Sequence, residues 1–157
     1  MLEDQTPRPA QVELEDLEEP DLTVGPLKVW VHGREFPQAT DYWDGNWLKV
    51  TAYCAAPGAG VWVKGPILHL SEVVGLLRGC ESLYENLAGR ALLDCREPYL
   101  RVELAAARGG RIGVTVLITP NHLEQFHRFQ TELDQTYLPA IITACRRLLE
   151  QYPLRGD

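Results

Sequence analysis

The sequence predicts an α+β fold: a mostly antiparallel β-sheet with two helices, about residues 71–88 and 136–152, packed on it. Three observations carry this. Several segments alternate apolar and polar residues with a period of two, the mark of half-buried strands. Two others place apolar residues at steps of three and four, the mark of amphipathic helices. The strands come in runs and the helices at separate points, an order that favours α+β over an alternating parallel α/β sheet.

Residues 1–21 stand outside this pattern as an acidic N-terminal arm. Glu3, Asp4, Glu13, Glu15, Asp16, Glu18, Glu19 and Asp21 oppose Arg8 alone and account for the whole net charge of −7, so the remainder is neutral, with 14 acids and 14 bases. With three Pro and few large apolar residues, the arm cannot bury enough surface to offset its ordering entropy. It is expected to be weakly ordered and solvated, with Val12, Leu14 and Leu17 able to dock a short piece onto the body. Residues 22–157 then make one domain, with a length that buries roughly 68–70% of the unfolded surface.

The first strand of that body is "LKVWVH", with Leu27, Val29 and Val31 on one face and Lys28, Trp30 and His32 on the other, ending at Gly33. "NWLKVTAYC" repeats the pattern, setting Leu48, Val50, Ala52 and Cys54 against Trp47, Lys49, Thr51 and Tyr53. "APGAG" signals a turn, and "VWVKGPILHL" is a third strand interrupted at Gly65-Pro66, which predicts a bulge or an edge. Ser71 then caps a helix carrying Val73, Leu76, Leu77, Cys80, Tyr84 and Leu87, with Gly89 as its stop. Gly75 and Gly79 weaken it by roughly 1 kcal/mol each relative to Ala unless they permit close packing on the sheet, so close packing is the expectation.

"RALLDC" and "PYLRVELAAA" follow as strands, then "RGG" as a hairpin turn into "RIGVTVLIT". In "HLEQFHRFQTELDQ" the apolar spacing fits helix or strand. Strand is preferred because the hairpin before it offers an edge to pair with. The final helix places Leu138, Ile141, Ile142, Cys145, Leu148, Leu149 and Tyr152 on one face, with Thr136 as its cap and Pro139 in its first turn.

Function is less explicit. No apolar run approaches the roughly 18 residues of a membrane span, and "MLEDQTPRPA" has neither the basic nor the apolar region of a secretory leader, so the expected compartment is the cytoplasm. Cys54, Cys80, Cys95 and Cys145 form no CxxC pair and no zinc spacing, and read as small core hydrophobes. The arginines are scattered among acids without an aromatic stacking set, which argues against nucleic acid. "HLEQFH" sets His122 and His127 five apart, the wrong spacing for a zincin helix, and no nucleophile is paired with a base.

The densest stretch is "TDYWDGNWLKV", Thr40 to Val50. It fails as a calcium loop: counted from Asp41 the twelfth position is Ala52, and from Asp44 it is Ala55, where a Glu is required. Asp44-Gly45-Asn46 offers turn residues that tolerate positive φ, bracketed by Trp43 and Trp47. Clustered aromatics flanked by carboxylates also suit protein recognition. Asp41, Trp43, Asp44 and Trp47 are therefore the candidate partner-binding residues, with Glu97 and Asp134 as a possible further polar cluster; no metal or cofactor is expected.

Several fragments together, "LKVWVHGREFP", "DYWDGNWLKV", "REPYLRVEL", "ELDQTYL" and "YPLRG", resemble the WapI family of bacterial immunity proteins and their uncharacterised relatives. The resemblance covers most of residues 22–156. It is sharpest from Asp41 to Leu48 and from Asp134 to Leu138. It implies a small cytoplasmic protein that performs no catalysis and neutralises the nuclease domain of a contact-delivered polymorphic toxin by binding it. The neutral body departs from the acidic face that an inhibitor of a basic nuclease often presents. Two alternatives stand beside this: a metal-dependent hydrolase built on Asp41, Asp44, Glu97 and Asp134, and a small scaffold or oligomerisation domain.

Overall fold

The computed structural model describes residues 17–156. Most of the acidic arm, including Val12 and Leu14, lies outside the described residues. Eight strands form two antiparallel meanders of four. The first contains β1 (Leu22–Val24), β2 (Leu27–Arg34), β3 (Trp47–Ala56) and β4 (Ala59–His69), and the second β5 (Arg90–Asp94), β6 (Leu100–Ala106), β7 (Arg111–Ile118) and β8 (Arg128–Asp134). Helix α1 (Leu70–Asn86) joins the sheets, and α2 (Leu138–Gln151) follows the second. The α+β class holds, with the strands divided between two sheets.

Alternation sets the core. Leu100, Val102 and Leu104 of β6 and Ile112, Val114, Val116 and Ile118 of β7 are all buried, as their period of two requires. They join Leu48, Val50, Ala52 and Cys54 of β3 and Leu138, Ile141, Cys145 and Leu148 of α2 in one hydrophobic cluster. All four cysteines are buried and free, and burial pushes the thiols of Cys54, Cys80 and Cys145 up to about 12. Such thiols are poor nucleophiles and serve as packing.

The interruption at Gly65-Pro66 is a bulge on an edge strand: the β3–β4 register slips between Leu48↔Leu68 and Val50↔Gly65. The "RGG" hairpin forms with Gly109 and Gly110 both at positive φ. The ambiguous segment is a strand from Arg128 and pairs with β7. The final helix opens later than predicted. Asp134, not Thr136, supplies the cap: its carboxylate accepts from Thr136 N at 2.9 Å, closing a 3-10 turn at Gln135–Tyr137 that leads into α2. Hydrogen bonding to the charged form holds the Asp134 carboxyl below its usual value.

In α1, Val73, Leu76 and Cys80 are buried as their spacing predicts, but toward the end of the helix Leu83 is buried while Tyr84 and Leu87 are exposed. The glycines of this helix differ. A Cβ on Gly79 would sit 2.8 Å from Cα and Cβ of Ala91, so absence of a side chain lets α1 lie directly on β5, whereas a Cβ on Gly75 would meet nothing within 4 Å. Close packing explains Gly79 and not Gly75. Gly75→Ala is expected to raise stability by about 0.5–1 kcal/mol through helix propensity. Gly79→Ala should lower it by about 1–3 kcal/mol through overpacking, and denaturant midpoints measure both.

Candidate functional site

The stretch that joins β2 to β3 is held by its own backbone and side chains. Asp41 accepts Gly45 N at its carbonyl (3.0 Å) and Asp44 N at its carboxylate (2.8 Å), winding Asp44–Asn46 into one turn of 3-10 helix. None of these residues takes positive φ, contrary to the turn chemistry expected. Gly45 is required for space: a Cβ there would lie 2.9 Å from Ala39 O and 3.4 Å from Arg155 Cβ.

Arg155 belongs to a C-terminal tail, Pro153 to Gly156, that packs across this loop. Asn46 is fully buried and donates to Tyr42 O (2.7 Å) and Arg155 O (2.9 Å), while its Oδ1 accepts Arg155 N (2.9 Å) and one nitrogen of Arg34 (3.4 Å). Arg34 also donates to Gly45 O and Pro153 O, each at 2.5 Å. Arg155 reaches Pro37 O (2.6 Å) and Ala39 O (2.9 Å). Loop and tail are one hydrogen-bonded unit.

At the other end the loop rests on His69. Trp47 is buried, Trp43 is 46% exposed, and their rings meet edge-on at 5.3 Å. His69 lies among three rings, stacked on Trp43 at 5.3 Å, edge-on to Trp47 at 4.9 Å and tilted against Tyr42 at 5.4 Å. Across the other contact, Arg96 Cζ sits 5.0 Å from a Trp43 ring centroid. Such a stack is worth about 0.5–2 kcal/mol, depending on how far it is desolvated.

His69 caps α1 in place of the predicted Ser71. Its Nδ1 accepts Ser71 N at 3.3 Å, which leaves the proton on Nε2 to bond Trp43 O at 3.2 Å. Glu72, three residues on, completes a capping box and also ties in the β5–β6 loop: one carboxylate oxygen accepts His69 N (2.7 Å), the other Arg96 N (2.8 Å). Burial raises the Glu72 carboxyl above its ordinary value, against the pull of those two N–H groups.

Burial, with a smaller push from Arg96, lowers the His69 pKa. The unfolded chain therefore takes up a proton near pH 6.5 that the folded state refuses until lower pH. Stability is full above that value and falls as the pH drops below it. A lower thermal midpoint at about pH 5.5 than at about pH 7.5 is expected, with the His69 ring titrating below the ordinary imidazole value by NMR.

The exposed surface of this unit consists of Phe36, Tyr42, Trp43 and Leu154, each 38–47% accessible, together with Asp41, Asp44 and Arg96. Of the residues singled out in the sequence, Asp41, Trp43, Asp44 and Trp47 thus come together, with Trp47 beneath the surface. Glu97 and Asp134 do not. Glu97 lines a cavity with Leu117 and Ile118, while Asp134 pairs with Arg111 at the opposite end of β7. That strand spans roughly 20–25 Å at ~3.4 Å per residue, so the four carboxylates of the hydrolase alternative do not share one pocket. Among the described residues no group of three or more His, Cys, Asp or Glu is placed to hold a metal ion.

The sequence profile described as the immunity protein WapI-like family matches residues 21–153. The chain belongs to that family. No curated protein and no solved structure matches it. The WapI-like region holds the entire loop from Asp41 to Trp47 and its supports His69, Glu72 and Arg96; the tail residues Leu154 to Gly156 lie just beyond. No described helix is long and apolar enough to cross a membrane.

His69, Glu72 and Arg96 were not singled out in the sequence, and Asn46 was read only as a turn residue. One signal was available: His69 and Glu72 stand three apart ahead of an apolar run, the spacing of a capping box with His in place of Ser or Thr.

Proposed function

We propose that this chain is a non-enzymatic immunity protein of the cytoplasm that neutralises the nuclease domain of a polymorphic toxin by binding it through the surface around Trp43. The observation that carries this reading is the state of that ring: half exposed, yet clamped between His69, Trp47 and Arg96. An aromatic anchor already fixed in place gives up little side-chain freedom on binding, and such anchors dominate interface energetics. Asp41 and Asp44 beside it supply charge for a basic partner. Trp47 acts from below as the support of Trp43. Membership of the WapI-like family supports the same role.

The test pairs the chain with a candidate toxin nuclease domain, sought in the neighbouring reading frame. Trp43→Ala is expected to weaken the complex by at least about thirtyfold, a hot-spot loss of about 2 kcal/mol or more. Asp41→Ala and Asp44→Ala should chiefly slow association and increase its sensitivity to salt. All three keep their fold by circular dichroism. Tight binding by Trp43→Ala would move the interface elsewhere, and failure of the wild type to protect cells from the toxin would end the immunity reading.

A further inference from the structure

Strand β4 is an outer strand of the first sheet. A groove of about 790 Å³ runs beside it, lined by every residue from Gly60 to Ile67 and closed on the far side by Tyr99, Pro120, Gln125 and His127. An outer strand leaves half its N–H and C=O groups without a ladder partner, a template for another strand. The other outer strands differ: β1 has three residues, β5 lies under α1 through Gly79, and β8 carries charged or amide side chains at alternate positions. On β4, Pro66 and the bulge protect the end near Ile67 and leave Gly60 to Lys64 open.

The segment that supplies Pro120, Gln125 and His127 to the far wall also carries two exposed apolar residues outside the groove. Leu123 is 84% and Phe126 74% exposed, the two most accessible large apolar side chains among the described residues. Their segment is not loosely held: Asn121 O accepts Gln125 N (2.8 Å), Asn121 Oδ1 accepts Leu123 N (3.1 Å), and Thr119 N donates to Tyr99 O (3.0 Å). A groove with a free backbone edge on one side and a hydrogen-bonded wall on the other is suited to an extended chain; Leu123 and Phe126 do not line it, and Phe126 faces the neighbouring cavity with Glu97.

The groove also selects by charge. None of its lining residues is acidic, Lys64 and His127 face it, and all 32 residues of the four strands in this sheet lack Asp and Glu. A strand added to β4 would alternate, one set of side chains beside Val61 and Val63, the other beside Trp62 and Lys64. We infer that the free edge of β4 docks an extended segment of a partner protein, in which apolar residues alternate with carboxylates, as a fifth strand of the first sheet. This surface is separate from the exposed face of Trp43 and can be tested without any toxin.

The probe is an acetylated peptide of five valine-glutamate repeats, with valine-lysine repeats as control, added to the full chain. Hydrogen exchange of the Gly60 to Gly65 amides should slow at least about tenfold with the glutamate peptide, and Lys64→Glu should weaken its binding by about tenfold while leaving the thermal midpoint unchanged. The lysine peptide should do neither. The inference is overturned if the glutamate peptide does not bind, if it binds without slowing exchange in β4, or if Lys64→Glu binds it equally well. It is also overturned if those amides are already protected without peptide and lose that protection when residues 1–16 are deleted, because the chain's own N-terminal segment would then hold the edge.

Discussion

Asn46→Ala is expected to destabilise the protein by about 3 kcal/mol, which for a chain of this size lowers the thermal midpoint by roughly 6–12 °C. The side chain is fully buried and saturates its bonding capacity between two segments that share no secondary structure. Its removal takes a partner from each of Tyr42 O, Arg155 O and Arg155 N, all partly buried. The loss is bounded because the tail can lift off into water. Asn46→Asp should be at least as damaging at neutral pH, since a carboxylate oxygen would replace the nitrogen that donates to two carbonyls. Truncation after Tyr152 should reproduce most of the loss, and the double change should be less than additive, because both remove the same contacts. Equal stability of wild type and Asn46→Ala would mean that the tail does not hold the loop.

Glu72→Ala should cost a similar amount, about 3 kcal/mol, by a different route. Here the side chain joins the first turn of α1 to the backbone of Arg96, so its loss strands one buried and one partly buried N–H donor and frees the segment that stacks on Trp43. Glu72→Gln keeps one acceptor and points an amide NH2 at the other donor. About half the loss is therefore expected, and urea titration of the three proteins gives the order wild type, Gln, Ala. A consequence for binding follows. If Arg96 helps to present Trp43, Glu72→Gln should lower partner affinity although Glu72 itself lies beneath the surface.

The parts of this fold that were legible in the sequence are those whose signal is local. Leu100, Val102 and Leu104, or Ile112 to Ile118, announce their buried face through a period that needs no knowledge of the rest of the chain. The closing helix declares itself in the same way. Errors arose where a contact from afar overrides the local rule. Tyr84 fits the helical spacing, but Leu83 is the residue turned to the core. Ser71 is a favoured cap, yet His69 takes the position because its ring also fills the space between Trp43 and Trp47. The division into two sheets carries no local mark, since either arrangement satisfies the same alternation.

The candidate site shows the same contrast. Asp41, Trp43, Asp44 and Trp47 were conspicuous because they are neighbours in sequence. The link from Asn46 to Arg155 was not, because a bond between residues 109 positions apart leaves no pattern in either neighbourhood. Gly45 and Gly79 were visible as glycines, but the atoms that forbid a Cβ there, Ala39 O or Arg155 for one and Ala91 for the other, belong to distant segments.

That same clasp has a consequence for synthesis. Asn46 leaves the ribosome 109 residues before Arg155, a delay of roughly 5–20 s at ~5–20 residues per second. During that interval the strands, and much of the core, can assemble while the loop bearing Trp43 still lacks its brace. The surface proposed to meet the partner is thus completed only after Arg155 has emerged, and a chain interrupted between α2 and Arg155 would carry a folded body with an unfinished face.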